Sequence, residues 1–209
     1  MTKGEFDHIP IIDVAALHGS DDDAIAALAD QSRAILRDVG FAYITGHQVP
    51  VELIEAVRDQ SRIFFASSAE DKNAIAINDW HRGYMAPNTS VIVTSSVAKV
   101  AKPNQSESIL ILHELPPDDP DVIAGKPLQG PNQWPQGQPA LRTAALQYVE
   151  LMEDLGNRIG KLLALCLNLP ADHFRPYFER PTTFLRLLHY PPQPAEEGLF
   201  GSAPHTDYG

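Results

Sequence analysis

Two side chains near the end of the sequence could hold a metal: His205 and Asp207, in "APHTDYG" at 203–209. In an extended strand, residues i and i+2 project from the same face. The pair would then aim a neutral imidazole nitrogen and a carboxylate oxygen at one point. That donor combination suits a divalent iron ion. A second histidine would complete a two-histidine-one-carboxylate facial triad with positions left open for O2 chemistry. A neighbouring His–Asp pair is also the ordinary form of a hydrogen-bonded couple, so the spacing alone leaves both options standing. Ser202 does not turn the cluster into a hydrolase triad, because triad members converge from distant segments and no nucleophile elbow surrounds the serine. No G-x-x-x-x-G-K-[ST] loop is present to cradle a nucleotide phosphate. Gly198 and Gly201 read as loop glycines and nothing more.

The elements that would position this pair can be followed along the chain. "IPIIDVAAL" is a short extended entry from Ile9. "SDDDAIAALADQSRAILRDVG" predicts a helix with Ile25, Leu28, Ser32, Ile35, Leu36 and Val39 on one stripe. Ser20 or Asp21 would cap its start, and Gly40 supplies a left-handed stop. "GFAYITGH" predicts a strand, and "PVELIEAVRDQSRIFFAS" a second helix with Leu53, Ile54, Val57, Ser61 and Phe64 inside. Ser68 and Asp71 form the S-x-x-[DE] signature of a helix start. "RGYMAP" and "ESILILHEL" are extended. The Pro- and Gly-dense stretch 115–139 predicts a long surface connection. The longest helix follows, with Tyr148, Leu151, Met152, Leu155, Ile159, Leu162, Leu163 and Cys166 marking its expected buried face. "TTFLRLLHYPP" is a strand stopped by two prolines.

Composition bounds what such a chain does. Its 209 residues carry 44% hydrophobic and 21% charged side chains, enough apolar material for a core. The net charge of −11 disfavours a phosphate backbone as partner, and Lys99 and Lys102 are too sparse to make a basic patch. The single cysteine, Cys166, excludes an internal disulfide framework and reads as a buried structural thiol. No window reaches the roughly 18 apolar residues of a membrane span, and the N-terminus lacks a secretory pattern, so the expected compartment is the cytoplasm.

Taken together, "IPIIDVAAL", "GFAYITGHQVP", "FFASSAEDK", "RGYMAP", "GPNQWP", "LRLLHYPP" and "HTDYG" occur in the order and approximate spacing of one family. The chain resembles the isopenicillin N synthase-like Fe(II)/2-oxoglutarate-dependent oxygenases over essentially its whole length. The resemblance implies a mixed α/β fold: a double-stranded β-helix, or jelly roll, preceded by an N-terminal helical region. It implies an N-terminal region at 8–125, a connection and long helix at 126–178, and the start of the jelly roll at 179–209. It implies that His205 and Asp207 bind Fe(II), that Tyr190 contacts 2-oxoglutarate, and that O2 and a small-molecule substrate complete the reaction. Hydroxylation is the default outcome, with desaturation or ring closure as variants. Strand parity adds Arg186, which shares a face with Leu188 and Tyr190 about 13 Å deeper along the strand. Leu187 and His189 take the other face, so His189 is expected to be structural. Some relatives carry an asparagine where this chain has Leu188. Trp134 and Tyr84 are expected to pack, and His8, His18, His47, His81, His113 and His173 to be ordinary.

The family also has a distal histidine ligand and an Arg-x-Ser that grips the far carboxylate of 2-oxoglutarate. Both follow the H-x-D at a spacing these 209 residues do not contain. The expectation is therefore a C-terminally truncated, inactive chain whose later jelly-roll strands are missing. A family oxidase that does not use 2-oxoglutarate, or a non-catalytic binding lobe, are the competing possibilities. No nucleic-acid or membrane partner is expected, and the sequence carries no code for oligomeric state.

Overall fold

The computed structural model describes residues 8–89, 103–194 and 201–202. His205, Asp207, Lys99, Lys102 and Gly198 lie outside the described residues. The chain divides into two compact units, one drawn from 1–54 and 150–181, the other from 55–149 and 182–209.

The first unit holds strands β1 (Ile11–Asp13) and β2 (Tyr43–Thr45), paired in parallel, and helix α1 (Asp22–Asp38). Asp21 is the cap of α1. Its side chain accepts from the Asp23 and Ala24 amides, and Asp22 and Asp23 add negative charge at the positive end of the helix. Gly40 ends the helix at φ +83°, a left-handed conformation that glycine adopts without strain. The core of this unit is Ile12, Val14, Leu17, Ile25, Leu28, Ala29, Leu155, Leu162, Ala164 and Cys166. The last four belong to helix α5 (Pro139–Cys166), whose final carbonyls have no partner within the helix. Arg33 meets that need, donating through Nε to the Cys166 carbonyl at 2.7 Å and through Nη2 to the Leu165 carbonyl at 3.0 Å. Cys166 is buried as expected; burial pushes its thiol pKa up, and Sγ donates to the Ala29 carbonyl at 3.3 Å.

The buried seam of α5 differs from expectation. Leu151, Met152 and Leu163 are 37%, 39% and 38% exposed, and the alanines Ala144, Ala145 and Ala164 are buried in their place. The helix is apolar on so many sides that its sequence does not single out one stripe, and small residues allow the closer approach.

The second unit is built on an antiparallel sheet of order β3–β4–β5: β3 (Gly83–Met85), β4 (Glu107–Leu112) and β5 (Phe184–His189). Residues Glu107, Ile109 and Ile111 of β4 oppose His189, Leu187 and Leu185 of β5. Tyr84 opposes Ile109 on the other side. This face packs on Phe64 and Phe65 of α2 (Val51–Phe65), on Ile75, and on Leu141 and Ala145 of α5, with Trp134 against the cluster. Helix α3 (Ala69–Asn73) starts at Ser68, whose hydroxyl accepts from the Asp71 amide and donates to its carboxylate.

The stretch 115–139 is more than a surface connection. It contains helix α4 (Pro120–Ile123), capped by Asp119. Asn132 substitutes for a neighbouring strand: its Oδ1 accepts from the Leu112 amide at 2.9 Å and its Nδ2 donates to the Leu112 carbonyl at 2.8 Å. Gln133 donates to the carbonyls of Ala76 and Arg82, both at 2.7 Å. Gly83 is obligatory at this junction, since it sits at φ +114° and a β-carbon there would lie 2.3 Å from the Ile75 carbonyl. Among the described residues no helix is long and apolar enough to cross a membrane.

Candidate functional site

The site candidates are carried by β5. Its residues alternate, with Leu185, Leu187 and His189 turned towards the core and Phe184, Arg186 and Leu188 exposed on the opposite face. Tyr190 follows on that second face, 50% exposed. The period-two expectation that groups Arg186, Leu188 and Tyr190 therefore describes the strand. Arg186 donates through Nε to the Ser108 hydroxyl at 3.2 Å. Its two terminal nitrogens make no hydrogen bond among the described residues. The Tyr190 hydroxyl likewise has no partner there, so the ring is not a satisfied filler of a closed core.

Gly201 stands against that ring. A β-carbon built on it would lie 2.8 Å from Cδ1 of Tyr190, closer than a real contact allows. Gly201 is thus more than a loop glycine: its missing side chain lets its own backbone approach the Tyr190 ring. The segment it begins leads to His205 four residues later.

On the core face, His189 is held from two sides. Its Nδ1 pairs with Oε1 of Glu107 at 2.8 Å, and its ring stacks on Phe65 at 5.2 Å and 28°. Glu107 also accepts from the Tyr84 hydroxyl at 2.5 Å and from Lys72 Nζ at 2.9 Å. Burial pushes the Glu107 pKa up, and the bonds from Tyr84, His189 and Lys72 outweigh that, leaving its pKa below the ordinary value. Burial first, then the adjacent carboxylate, push the Tyr84 phenol well above its ordinary range. Tyr84 is accordingly a packed, hydrogen-bonded residue, and Trp134 donates to Glu114 at 2.9 Å beside the same core. Among the described residues no group of three or more His, Cys, Asp or Glu side chains could hold a metal ion.

Residues 9–137 match the profile of the non-haem dioxygenase in morphine synthesis N-terminal family. The chain belongs to the 2-oxoglutarate/Fe(II)-dependent dioxygenase family. It is 34% identical over 208 residues to the 2-oxoglutarate-Fe(II) type oxidoreductase hxnY of Emericella nidulans, an alignment covering 96% of this chain and 58% of that protein. A 2OG-Fe(II) oxygenase family protein from Caulobacter crescentus has a TM-score of 0.74 at 23% identity, covering 91% of this chain and 59% of its own; this likeness is one of fold. A full-length Neurospora crassa protein solved in complex with alpha-KG has a TM-score of 0.71 at 25% identity, covering 90% and 57%. The chain thus spans about 60% of the length of the dioxygenase relatives it matches. The mixed helix-and-sheet organisation expected from the sequence is that of these oxygenases.

Sequence reasoning missed Glu107 as the partner of His189 in this dioxygenase chain. The available signal was a carboxylate at the start of the apolar run "ESILILHEL", on the parity of Ile109 and Ile111.

Proposed function

We propose that the protein is an Fe(II)- and 2-oxoglutarate-dependent oxygenase that hydroxylates a small-molecule substrate, with desaturation or cyclisation as alternative outcomes. His205 and Asp207 would hold the metal as imidazole and carboxylate donors. Tyr190 and Arg186 would face 2-oxoglutarate, an anion that a guanidinium with two unbonded terminal nitrogens and a phenol suit. When bound, iron and cosubstrate supply the O2 chemistry; the chain's own part is to bind, orient and shield. Tyr190 would donate its free hydroxyl to a cosubstrate oxygen. Arg186 would balance negative charge along the same face, and Leu188 between them would exclude water.

The observation that carries this proposal is one exposed face of β5 and the residue after it, on which the terminal nitrogens of Arg186 and the hydroxyl of Tyr190 make no hydrogen bond among the described residues. His205 and Asp207 lie outside the described residues, and their assignment rests on their H-x-D spacing and donor chemistry. Family membership supports the same chemistry. The test is succinate formation from 2-oxoglutarate by the complete gene product under Fe(II) and O2. His205→Ala and Asp207→Ala should each reduce it by at least about 100-fold. Unchanged succinate formation in either variant contradicts the assignment.

A further inference from the structure

We propose that Glu107 is a positioning residue for Tyr190, acting through His189 from the opposite face of the sheet. This extends the function proposed above and requires that Tyr190 meet the cosubstrate.

The pair Glu107↔His189 is the last rung of the β4–β5 ladder. Tyr190 is the next residue, and Pro191 and Pro192 after it carry no amide hydrogen with which to continue the ladder. The side-chain bond from His189 Nδ1 to Glu107 is therefore the final tie on β5 before the strand is released. Glu107 is itself fixed. It is 5% exposed and accepts from α3 through Lys72 and from β3 through Tyr84 as well as from β5. Lys72 is anchored in turn by the Phe65 carbonyl at 3.2 Å, and Phe65 is the residue on which His189 stacks.

A buried carboxylate with three donors is a poor device for stability, since apolar side chains of similar volume serve as well there. It is a good device for register. Sliding β5 by two residues would put Leu187 opposite Glu107 and leave a buried carboxylate without its histidine. Sliding by one would exchange the two faces of the strand. The one alignment that satisfies Glu107 places Arg186, Leu188 and Tyr190 together on the exposed face. Glu107 thus sets where the Tyr190 ring begins, and Gly201 limits where it can tilt.

The test is a double-mutant cycle in the complete gene product, reading the 2-oxoglutarate dissociation constant by calorimetry with Mn(II) in place of Fe(II) and O2 excluded. Tyr190→Phe should weaken binding by about tenfold. Glu107→Gln, which touches no cosubstrate, should weaken it by a similar factor. The double variant should be no weaker than about the worse single variant, because both losses concern one side chain. Ile109→Val controls for general destabilisation: it should lower the melting temperature and leave the dissociation constant unchanged. If Glu107→Gln does not fold, His189→Gln removes one of the three bonds and completes the same cycle. Factors that multiply in the double variant, or a Glu107→Gln affinity equal to wild type, overturn the positioning role. If Tyr190→Phe alone has no effect, the cosubstrate contact itself is wrong and the positioning role falls with it; the metal ligands are then untouched.

Discussion

On one face of the β3–β4–β5 sheet, Ile109 and Ile111 are fully buried; on the other, Phe184, Leu188 and Tyr190 are 63%, 43% and 50% exposed. Both faces come from the same strands, one residue out of phase, and on the second the exposure belongs to β5 and Tyr190, since Ser108 and Leu112 of β4 are buried there. The buried face has the composition that packing demands, plus one carboxylate that packing does not. The exposed face keeps large apolar and aromatic side chains beside an arginine whose terminal nitrogens are unpaired among the described residues. Under the proposed function, the difference separates residues that keep the sheet folded from residues that would face the cosubstrate.

The sharpest way to break this contrast is Glu107→Ala. Removing one member of a buried, bonded charge cluster should cost about 3–5 kcal/mol in denaturant unfolding, since Lys72 loses its carboxylate partner inside the protein. Ile109→Ala should cost about 2–5 kcal/mol in the same measurement, through lost transfer energy and the cavity left behind. A Glu107→Ala loss below that of an exposed substitution would mean that the cluster does not hold the sheet.

Acid titration sharpens the comparison further. The folded-state pKa of Glu107 lies below its ordinary value of 4.5, so its contribution to stability is present above that pH. It is lost as the pH falls through the folded-state value. Glu107→Gln should flatten the acid limb of the stability curve followed by circular dichroism. Tyr84 acts at the other end: with its pKa raised, its contribution is present below about pH 10 and is lost as the pH rises further. The smallest effect belongs to the exposed face, where Leu188→Ser should change unfolding stability by no more than about 0.5 kcal/mol.

Much of this arrangement was legible in the sequence where a local rule governs it. Asp21 and Ser68 are side-chain caps, Gly40 is a left-handed stop, and period two divides Arg186 from His189. What was not legible depends on partners far along the chain. Glu107 and His189 are 82 residues apart, and no local pattern says which carboxylate a given histidine will face. Asn132 was hidden in a stretch dense in proline and glycine because a side-chain amide imitating a strand edge has no sequence period. The seam of α5 was misplaced because several of its sides are apolar. Of the candidate site, the face bearing Arg186 and Tyr190 followed from alternation alone, while His205 and Asp207 rest on residue chemistry and family likeness.

The most direct measurement of the central claim is a Mn(II) titration of the complete gene product followed by electron paramagnetic resonance, with and without 2-oxoglutarate. The account predicts one bound metal per chain, held more tightly when 2-oxoglutarate is present, with His205→Ala and Asp207→Ala each weakening it by more than about 100-fold. Metal affinity unchanged by either substitution would contradict it.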